Sequence, residues 1–250
     1  MIAPEGSVGL FVDHSRIPET ELVRAVRQDP PHWAGQKLLP WDSDAFREAA
    51  AFAIEKYWSG QQSINVFDVV GTQHPDYQGM SWAEFLERGK RMRQNLALQE
   101  NNPGYYLDDV VKLPTMYYVA IDGSGWYVAG DGNHRTCIAR FMFHRMGRTM
   151  LHGVNVESYR TDRHAMEVFR ALREAIAIKR LPLLVEPFRE KLSRQDTGGW
   201  MRETYMVGIL FRDLSKGTRQ ALSPVEAEKR LDAIKRESGL RRFWRRITGG

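Results

Sequence analysis

The sequence is poor in several features that would have assigned it to a class. Its 250 residues include one cysteine, Cys137, so no disulfide can form within the chain and a reducing compartment is favoured. No segment approaches the ~18 consecutive apolar residues that cross a bilayer. The first residues do not place positive charges before an apolar stretch, so no secretory signal is expected. These absences predict a cytoplasmic protein without integral membrane association.

The common metal and nucleotide signatures are also missing. The sequence has no Cys-x-x-Cys pair and no His-Glu-x-x-His helix, so a zinc site is not expected, and His144 and His152 are interpreted as structural or exposed. No Walker-type glycine-lysine loop occurs either. Cys137 shares an apolar helical pattern with Ile138 and Phe141, which favours a core position over a nucleophile.

Positive charge is concentrated at one end of the chain. The formal net charge is +5, and residues 235–246 alone carry that amount, so the rest of the chain is formally neutral. A charged tail on a neutral body is typical of a local contact with an acidic partner. Cations alternate with aromatic residues here, which suits contact with a nucleic acid backbone and stacking on bases. The predicted nucleic-acid-binding residues are Arg241, Arg242, Trp244, Arg245 and Arg246. A solvated helix and an anionic membrane surface are the alternatives.

Helical and strand patterns mix along the chain without strict alternation, which predicts an α+β fold. Strand patterns occur at 8–13, 63–70, 113–121, 126–129, 150–156 and 205–211. Helical patterns occur at 18–26, 43–58, 81–98, 134–146, 162–179 and 223–238. Residues 193–199 are polar and are expected to be flexible.

The segment Gly130-Asp131-Gly132-Asn133-His134-Arg135 lies where a predicted strand leads into a predicted helix. Its two glycines permit positive φ and close approach of a ligand to the main chain. The start of the following helix offers free N–H groups and the positive end of its dipole, which together favour an anion. Arg135 can donate two hydrogen bonds to a phosphate.

Each side chain of the motif has a candidate role. Asp131 could bind a divalent cation or act as a base, and alternatively it is a plain turn or N-cap residue. His134 is a candidate acid or base. Asn133 and Thr136 would add short polar contacts, and Gly130 and Gly132 would shape the turn. The predicted ligand is ATP or another nucleotide, with Mg²⁺ as a candidate ion at Asp131.

The hairpin followed by Gly-Asp-Gly-Asn-His-Arg-Thr-Cys-Ile-Ala-Arg-Phe resembles the core of the ParB/sulfiredoxin superfamily over about residues 110–158. In that family a strand feeds a short glycine-containing motif that ends in His-Arg or Arg-Arg, opens a helix and binds nucleotide phosphates. The later Gly147 and the strand at 151–156 also match. The resemblance implies a ParB/sulfiredoxin-like mixed sheet with helices, elaborated by N- and C-terminal segments.

Two departures narrow what the resemblance implies. Asn133 stands where sulfiredoxins carry their catalytic cysteine, so sulfiredoxin chemistry is not expected. No helix-turn-helix DNA reader follows Lys179, so the clamp function of partition proteins is not expected either. The closer match is to nuclease and nucleotide-hydrolase members, including plasmid fertility-inhibition proteins of the Osa kind. The implied function is a phosphohydrolase acting on DNA, on ATP, or on both.

Two alternative functions remain open at this stage. One is a nucleotide-dependent kinase of a small hydroxyl compound such as free serine. The other is a non-catalytic module that inhibits a conjugation or partition machine by binding DNA or a protein of that machine. The predicted organisation is an N-terminal elaboration (1–105), the superfamily core (106–190) and a C-terminal part with the basic tail (191–250).

Two further segments could contribute to the same site. The loop at 68–76 contains Thr72, His74 and Asp76 after a predicted strand, and is either part of the pocket or an ordinary surface loop. The basic segment 90–95 is either a solvated helix face or a contact for a phosphate backbone.

Overall fold

The computed structural model describes the backbone of residues 19–248 and the side chains of residues 19–236. The fold is mixed α+β, with parallel and antiparallel strand pairs, so the predicted fold class is confirmed at that level. The strand predicted at 8–13 lies outside the described residues. The same holds for the side chains of the predicted nucleic-acid-binding residues, Arg241, Arg242, Trp244, Arg245 and Arg246.

The described chain alternates irregularly between helices and strands. The helices are α1 (Glu21–Gln28), α2 (Ser43–Ala51), α3 (Trp82–Arg88), α4 (Met92–Asn101), α5 (Gly104–Leu107), α6 (Asn133–Met146), α7 (Arg163–Lys179) and α8 (Pro224–Thr248). The strands are β1 (Leu39–Pro40), β2 (Ala53–Asn65), β3 (Val69–Thr72), β4 (Tyr117–Ile121), β5 (Trp126–Val128), β6 (Met150–Thr161), β7 (Leu183–Thr197), β8 (Trp200–Asp213) and β9 (Thr218–Leu222). Short 3-10 turns occupy Val66–Asp68 and Pro75–Tyr77.

The chain forms two compact units, each built from several segments. In the described range, the first unit comprises residues 19–41, 63–117 and 127–154. The second comprises residues 42–62, 118–126 and 155–248.

The first unit contains the glycine motif. Strand β1 pairs in parallel with β3, and the N–H of Gln73, just after β3, donates to the carbonyl of Val128 in β5 at 2.9 Å. Helix α6 is buried on all faces from Thr136 to Phe143, whereas its last three residues are exposed. Helix α6 therefore forms the centre of this unit, and its first turn carries the motif.

The second unit is built on a long antiparallel hairpin. Strand β8 pairs with β7 on one side and with β2 and then β9 on the other. Helices α7 and α8 pack on one face of this hairpin. Their shared core contains Val168, Leu172, Ile209, Phe211 and Leu231, all buried.

The helix predicted at 43–58 is wrong beyond Ala51. Helix α2 begins as expected, with the Asp42 side chain accepting from the N–H groups of the first turn, but its cap is Phe52 and β2 starts at Ala53. Residues 53–58 fit both a helical and an alternating pattern. Antiparallel pairing of β2 with β8 decides between them, because it satisfies the backbone groups of residues 55–59.

The prediction of a flexible segment at 193–199 is also wrong. These residues form the end of β7 and the turn before β8, where Gly199 has φ +112°. Their polarity reflects an exposed strand, in which Ser193 and Thr204 join their hydroxyls at 2.7 Å. Pro187 lies within β7. Proline has no N–H to donate, and it is tolerated there because β7 is an edge strand of the sheet.

Other boundaries agree more closely with the sequence pattern. Ser81 and Glu84 form the predicted capping box, but Gly89 ends α3 and the predicted single helix is two helices, α3 and α4. Helix α6 ends at a left-handed Gly147, as expected. The strand predicted at 113–121 begins only at Tyr117, and β9 was not predicted.

The structure also bears on membrane spans and on the cysteine. Within the described residues, no helix is both long and apolar enough to cross a membrane. Cys137 is fully buried, and burial raises the pKa of its thiol well above the usual value. The core assignment of this cysteine is confirmed.

A buried arginine organises the core of the first unit. The guanidinium of Arg140, in α6, lies 4.6 Å from the ring centre of Trp33 and 4.5 Å from that of Trp82. Its Nη1 donates to the carbonyl of Val69 at 2.7 Å. Burial lowers the pKa of Arg140 to about 10, so the group stays charged at neutral pH. The cation thus joins α6 to α3 and to the start of β3.

We predict that Arg140→Met lowers the free energy of unfolding by about 2–4 kcal/mol, because it removes the cation–π contacts with Trp33, Phe67 and Trp82 and leaves a buried carbonyl unpaired. Urea denaturation measures the change. Arg145→Met is the matched control, since Arg145 lies on the same helix with 43% of its side chain exposed. Equal stability of the two variants would contradict the role of Arg140.

Candidate functional site

The glycine motif is held in place by the backbone of β4. The N–H of Tyr117 donates to the carbonyl of Asp131 at 3.1 Å, and the N–H of Ala129 donates to the carbonyl of Tyr117 at 2.9 Å. The chain then turns at Gly132, where φ is +110°, and α6 begins at Asn133. The predicted strand–turn–helix arrangement is therefore present, with Gly132 as the N-cap.

The two glycines are required for different reasons. At Gly132 a Cβ atom would strain the left-handed backbone and would lie 3.1 Å from the Cβ of Met116. At Gly130 φ is not in the left-handed region, and a Cβ would meet no atom within 4 Å. Gly130 lines the cavity described below. Gly132 is therefore needed for the left-handed backbone of the turn, whereas Gly130 leaves open space beside the main chain.

The first turn of α6 presents backbone donors, as expected. By helix geometry, the N–H groups of Asn133, His134 and Arg135 have no acceptor within the helix. Thr136, which the sequence suggested as a polar contact for the ligand, uses both of its donors within the helix. The N–H of Thr136 donates to the carbonyl of Gly132 at 2.7 Å, and its buried hydroxyl donates to the same oxygen at 2.8 Å. Thr136 does not line the cavity.

Asp131 and Arg135 form an ion pair across the first turn. Asp131 Oδ1 accepts from the N–H of Gly132 at 2.7 Å, and its Oδ2 lies 2.6 Å from Arg135 Nη2. The Asp131 side chain is 59% exposed and that of Arg135 is 11% exposed. A phosphate at this turn would therefore compete with the Asp131 carboxylate for the same donors.

Arg135 also fixes a neighbouring segment. Its Nη1 donates to the hydroxyl of Tyr105 at 2.7 Å and to the carbonyl of Pro114, and its Nη2 donates to the carbonyl of Thr115 at 3.3 Å. The Tyr105 hydroxyl donates in turn to the carbonyl of Pro114 at 2.6 Å. One guanidinium thus holds α5 and the segment before β4 against α6.

The side chain of Asn133 is directed away from solvent. It is buried, and its Oδ1 accepts from the hydroxyl of Thr72 at 2.5 Å. Thr72 accepts in turn from the N–H of His74 at 2.9 Å. Asn133 therefore links the motif to the end of β3, and its side-chain carbonyl is not free for a ligand.

His134 lies among aromatic rings and cations. Its Nε2 accepts from the N–H of Arg91 at 3.4 Å and lies 3.3 Å from the hydroxyl of Tyr77. Burial and the positive charge of nearby groups, including Arg91 and Arg135, lower the pKa of His134 to about 4. The ring is neutral at physiological pH, so His134 is a poor proton donor there.

The motif opens into a cavity of about 570 Å³ within the first unit. Three cationic side chains line it, those of Lys90, Arg91 and Arg135, against two carboxylates, those of Asp76 and Asp131. The loop at 68–76 and the basic segment 90–95, each of which had two interpretations from the sequence, both contribute residues to the cavity. His74 and Asp76 come from the loop after β3, and Lys90 and Arg91 come from the basic segment before α4.

One wall of the cavity was not predicted, apart from Asn95 at the end of the basic segment 90–95. Helix α4 contributes Asn95, Leu98, Gln99 and Asn102 just beyond its end, and α5 contributes Tyr105. The signal in the sequence is the spacing of three to four residues, which places polar side chains on one helical face. That pattern is also typical of a solvated face, so the sequence alone could not assign it to a cavity.

The residues present fit a metal ion only in combination with a ligand. No group of three or more His, Cys, Asp or Glu side chains that could hold a metal occurs in the described part of the chain. Mg²⁺ is commonly bound by one or two carboxylates together with phosphate oxygens. Asp131, which is exposed at the cavity, could supply one such carboxylate.

Compared with protein-family models, with curated proteins and with solved structures, the chain has no significant match.

We predict that Gly132→Ala lowers the free energy of unfolding by about 1–3 kcal/mol, because alanine is strained at this φ and its Cβ would press on Met116. Gly130→Ala is the matched control two residues earlier, and its stability should stay within about 0.5 kcal/mol of wild type. Thermal or urea denaturation of both variants measures the difference. A Gly130→Ala variant as unstable as Gly132→Ala would refute this division of roles.

We predict that acidification destabilises the protein through His134. In the unfolded chain this histidine takes up a proton near pH 6.5, whereas the folded chain resists protonation until about pH 4. Stability is therefore fully present above pH 6.5 and is lost as the pH falls toward 4, by about 1–3 kcal/mol. The measurement is the free energy of unfolding at pH 7 and at pH 4.5.

His134→Gln should reduce this pH-dependent loss. His164→Gln on α7, where the side chain is 50% exposed, should leave it unchanged. The same loss in His134→Gln as in wild type would show that another group is responsible.

Proposed function

We propose that this protein binds a nucleotide in the cavity of the first unit and hydrolyses a phosphate ester there, as a ParB/sulfiredoxin-like phosphohydrolase acting on ATP, on DNA, or on both. The observation that carries the proposal is the opening of the first turn of α6 into a cavity lined by Lys90, Arg91 and Arg135. Backbone donors, the helix dipole and cations converge on one concave place, and each of them favours an anionic ligand.

Phosphate binding would rest on backbone and cation together. The N–H groups of residues 133–135 would donate to phosphate oxygens, with Lys90 and Arg91 supplying charge from the segment before α4. Arg135 would neutralise charge on the phosphate once its ion pair with Asp131 has opened. Gly130 would allow the ligand to approach the main chain.

We assign the positioning of water to Asp131 and not to His134. Asp131 is the exposed carboxylate at the cavity, whereas the Nε2 lone pair of His134 faces an N–H and a hydroxyl of its own chain. In the proposed reaction the water oxygen bonds to phosphorus, the bond from phosphorus to the leaving oxygen breaks, and the Asp131 carboxylate takes the proton of the water. Mg²⁺, where bound by Asp131 and the phosphates, would neutralise charge on the phosphates.

A second candidate function is phosphate transfer to a hydroxyl compound. It is favoured by the position of His74 and Asp76, which line the same cavity from the loop after β3. An acceptor hydroxyl beside these side chains would be within reach of a base. This function predicts a phosphorylated acceptor and no DNA cleavage.

We predict that Asp131→Asn lowers Mg²⁺-dependent ATP hydrolysis or plasmid nicking by about 100-fold or more while nucleotide binding is retained, because the carboxylate is the proposed base. In the absence of Mg²⁺ the same variant should bind ATP more tightly than wild type, since the competing carboxylate is neutralised. Turnover assays and equilibrium dialysis of ATP measure the two effects. Asp29→Asn, at the end of α1, is the control.

Arg135→Lys and Arg135→Ala should weaken ATP binding by about 10-fold or more, because both remove the paired guanidinium donors. Arg145→Ala on the same helix is the control, and circular dichroism checks the fold of each variant.

Equal hydrolysis by wild type and Asp131→Asn would overturn the proposed hydrolase function. Binding of ATP without any turnover would favour the non-catalytic binding module instead.

A further inference from the structure

The cavity is also lined by apolar side chains that phosphate binding leaves unexplained. Leu98 of α4 is 59% exposed and Leu113 is 76% exposed, and both line the cavity together with Pro114 and Tyr105. Single exposed leucines are common on protein surfaces. Two of them that line one cavity, beside a proline and a tyrosine, form an apolar surface that a ligand would remove from water.

Carboxamide side chains occupy the same face of α4 as Leu98. Asn95 and Gln99 of α4 and Asn102 at its end line the cavity. Asn95 Nδ2 donates to the carbonyl of Arg91 at 2.8 Å, which leaves the side-chain carbonyl of Asn95 as an acceptor. The amide nitrogen of Gln99 has only a long contact of 3.6 Å to the sulfur of Met142. These groups combine hydrogen-bond donors and acceptors with no net charge.

An apolar surface bordered by neutral amides fits a planar heteroaromatic ring. The ring faces would contact apolar side chains, while its edge would exchange hydrogen bonds with the amides. A carboxamide presents a donor beside an acceptor, which matches the amino group and N7 of adenine. Guanine presents two acceptors on that edge and is better matched by arginine.

We propose that α4 and the segment before β4 form a base-binding subsite, in which an adenine ring packs against Leu98 and Leu113 and pairs with the amides of Asn95, Gln99 and Asn102. This inference rests on the proposed function, because the phosphates at α6 place the nucleotide. It gives residues 92–114 the role of selecting the nucleotide, while the motif at 130–135 binds the group common to all nucleotides.

The test compares ligands that differ only in the base, on the full chain at one Mg²⁺ concentration. Equilibrium dialysis gives the Kd of ATP, GTP and inorganic tripolyphosphate for each variant. Wild type should bind ATP at least about 10-fold more tightly than GTP or tripolyphosphate. Leu98→Ala and Leu113→Ala should each weaken ATP binding by about 5- to 10-fold and leave tripolyphosphate binding within about twofold.

Further variants make the test specific. Gln99→Met keeps the length of the side chain but removes its amide, and should reduce the preference for ATP over GTP. Leu192→Ala in β7 is the control, since its side chain is 65% exposed in the second unit. Because Leu98 and Leu113 are exposed, their truncation should not impair folding, which thermal denaturation verifies.

The outcomes separate the subsite from the proposed function. If wild type binds ATP, GTP and tripolyphosphate equally, or if the leucine variants bind ATP like wild type, the base-binding subsite is overturned while phosphate binding stands. If wild type binds neither ATP nor tripolyphosphate, nucleotide binding itself is overturned. Selective loss of ATP binding in the leucine variants, with tripolyphosphate binding unchanged, supports the subsite.

Discussion

The guanidinium of Arg135 is the group on which the candidate site depends. It is 11% exposed and bonds to the Asp131 carboxylate, to the Tyr105 hydroxyl and to the carbonyls of Pro114 and Thr115. These partners belong to three separate segments of the chain. A planar group with five donors can satisfy them at once, whereas lysine would offer a single charged point. The cavity owes its shape to this group, because Arg135 holds the segment before β4 against α6.

This arrangement has an electrostatic consequence. Asp131 neutralises Arg135 and accepts from the N–H of Gly132, so part of the anion-binding capacity of the turn is used by the protein itself. Charge-assisted hydrogen bonds are among the stronger polar contacts, and an incoming phosphate must replace one. Lys90 and Arg91 provide cations from the segment before α4. Affinity for an anion therefore depends on residues that precede the motif by about 40 positions as well as on the motif.

The sequence predicted the parts of this site that local chemistry determines. Glycine at the turn, a helix from about residue 134 and a left-handed Gly147 at its end all follow from conformational preferences of individual residues. The hydrogen bonding of the Thr136 side chain does not follow from such preferences. Its hydroxyl can face solvent or the preceding carbonyl, depending on how α6 is buried. The continuation of the chain from α2 into β2 was likewise unpredictable, since pairing with β8 involves residues 55–59 and 200–204, far apart in sequence.

The contrast between local features and features that depend on distant residues applies to function as well. The motif at 130–135 could be identified because its residues are adjacent, and its resemblance to the ParB/sulfiredoxin superfamily remains a prediction. The wall formed by Asn95, Leu98 and Gln99 could not be identified, because its meaning depends on the cavity that it faces. In the sequence alone, Leu98 is an ordinary exposed residue of a short helix. It becomes informative because Leu113 lines the same cavity.

His134 connects the electrostatics of the cavity to its proposed ligand. Burial and neighbouring cations keep this ring neutral, and those cations are the groups that would attract a phosphate. A bound anion would offset the positive field at His134 and would raise its pKa. By linkage, protonation of His134 would then strengthen anion binding, so nucleotide affinity should increase as the pH falls toward the pKa of this histidine. A cavity that disfavours a proton when empty would therefore accept one more readily when it holds a phosphate.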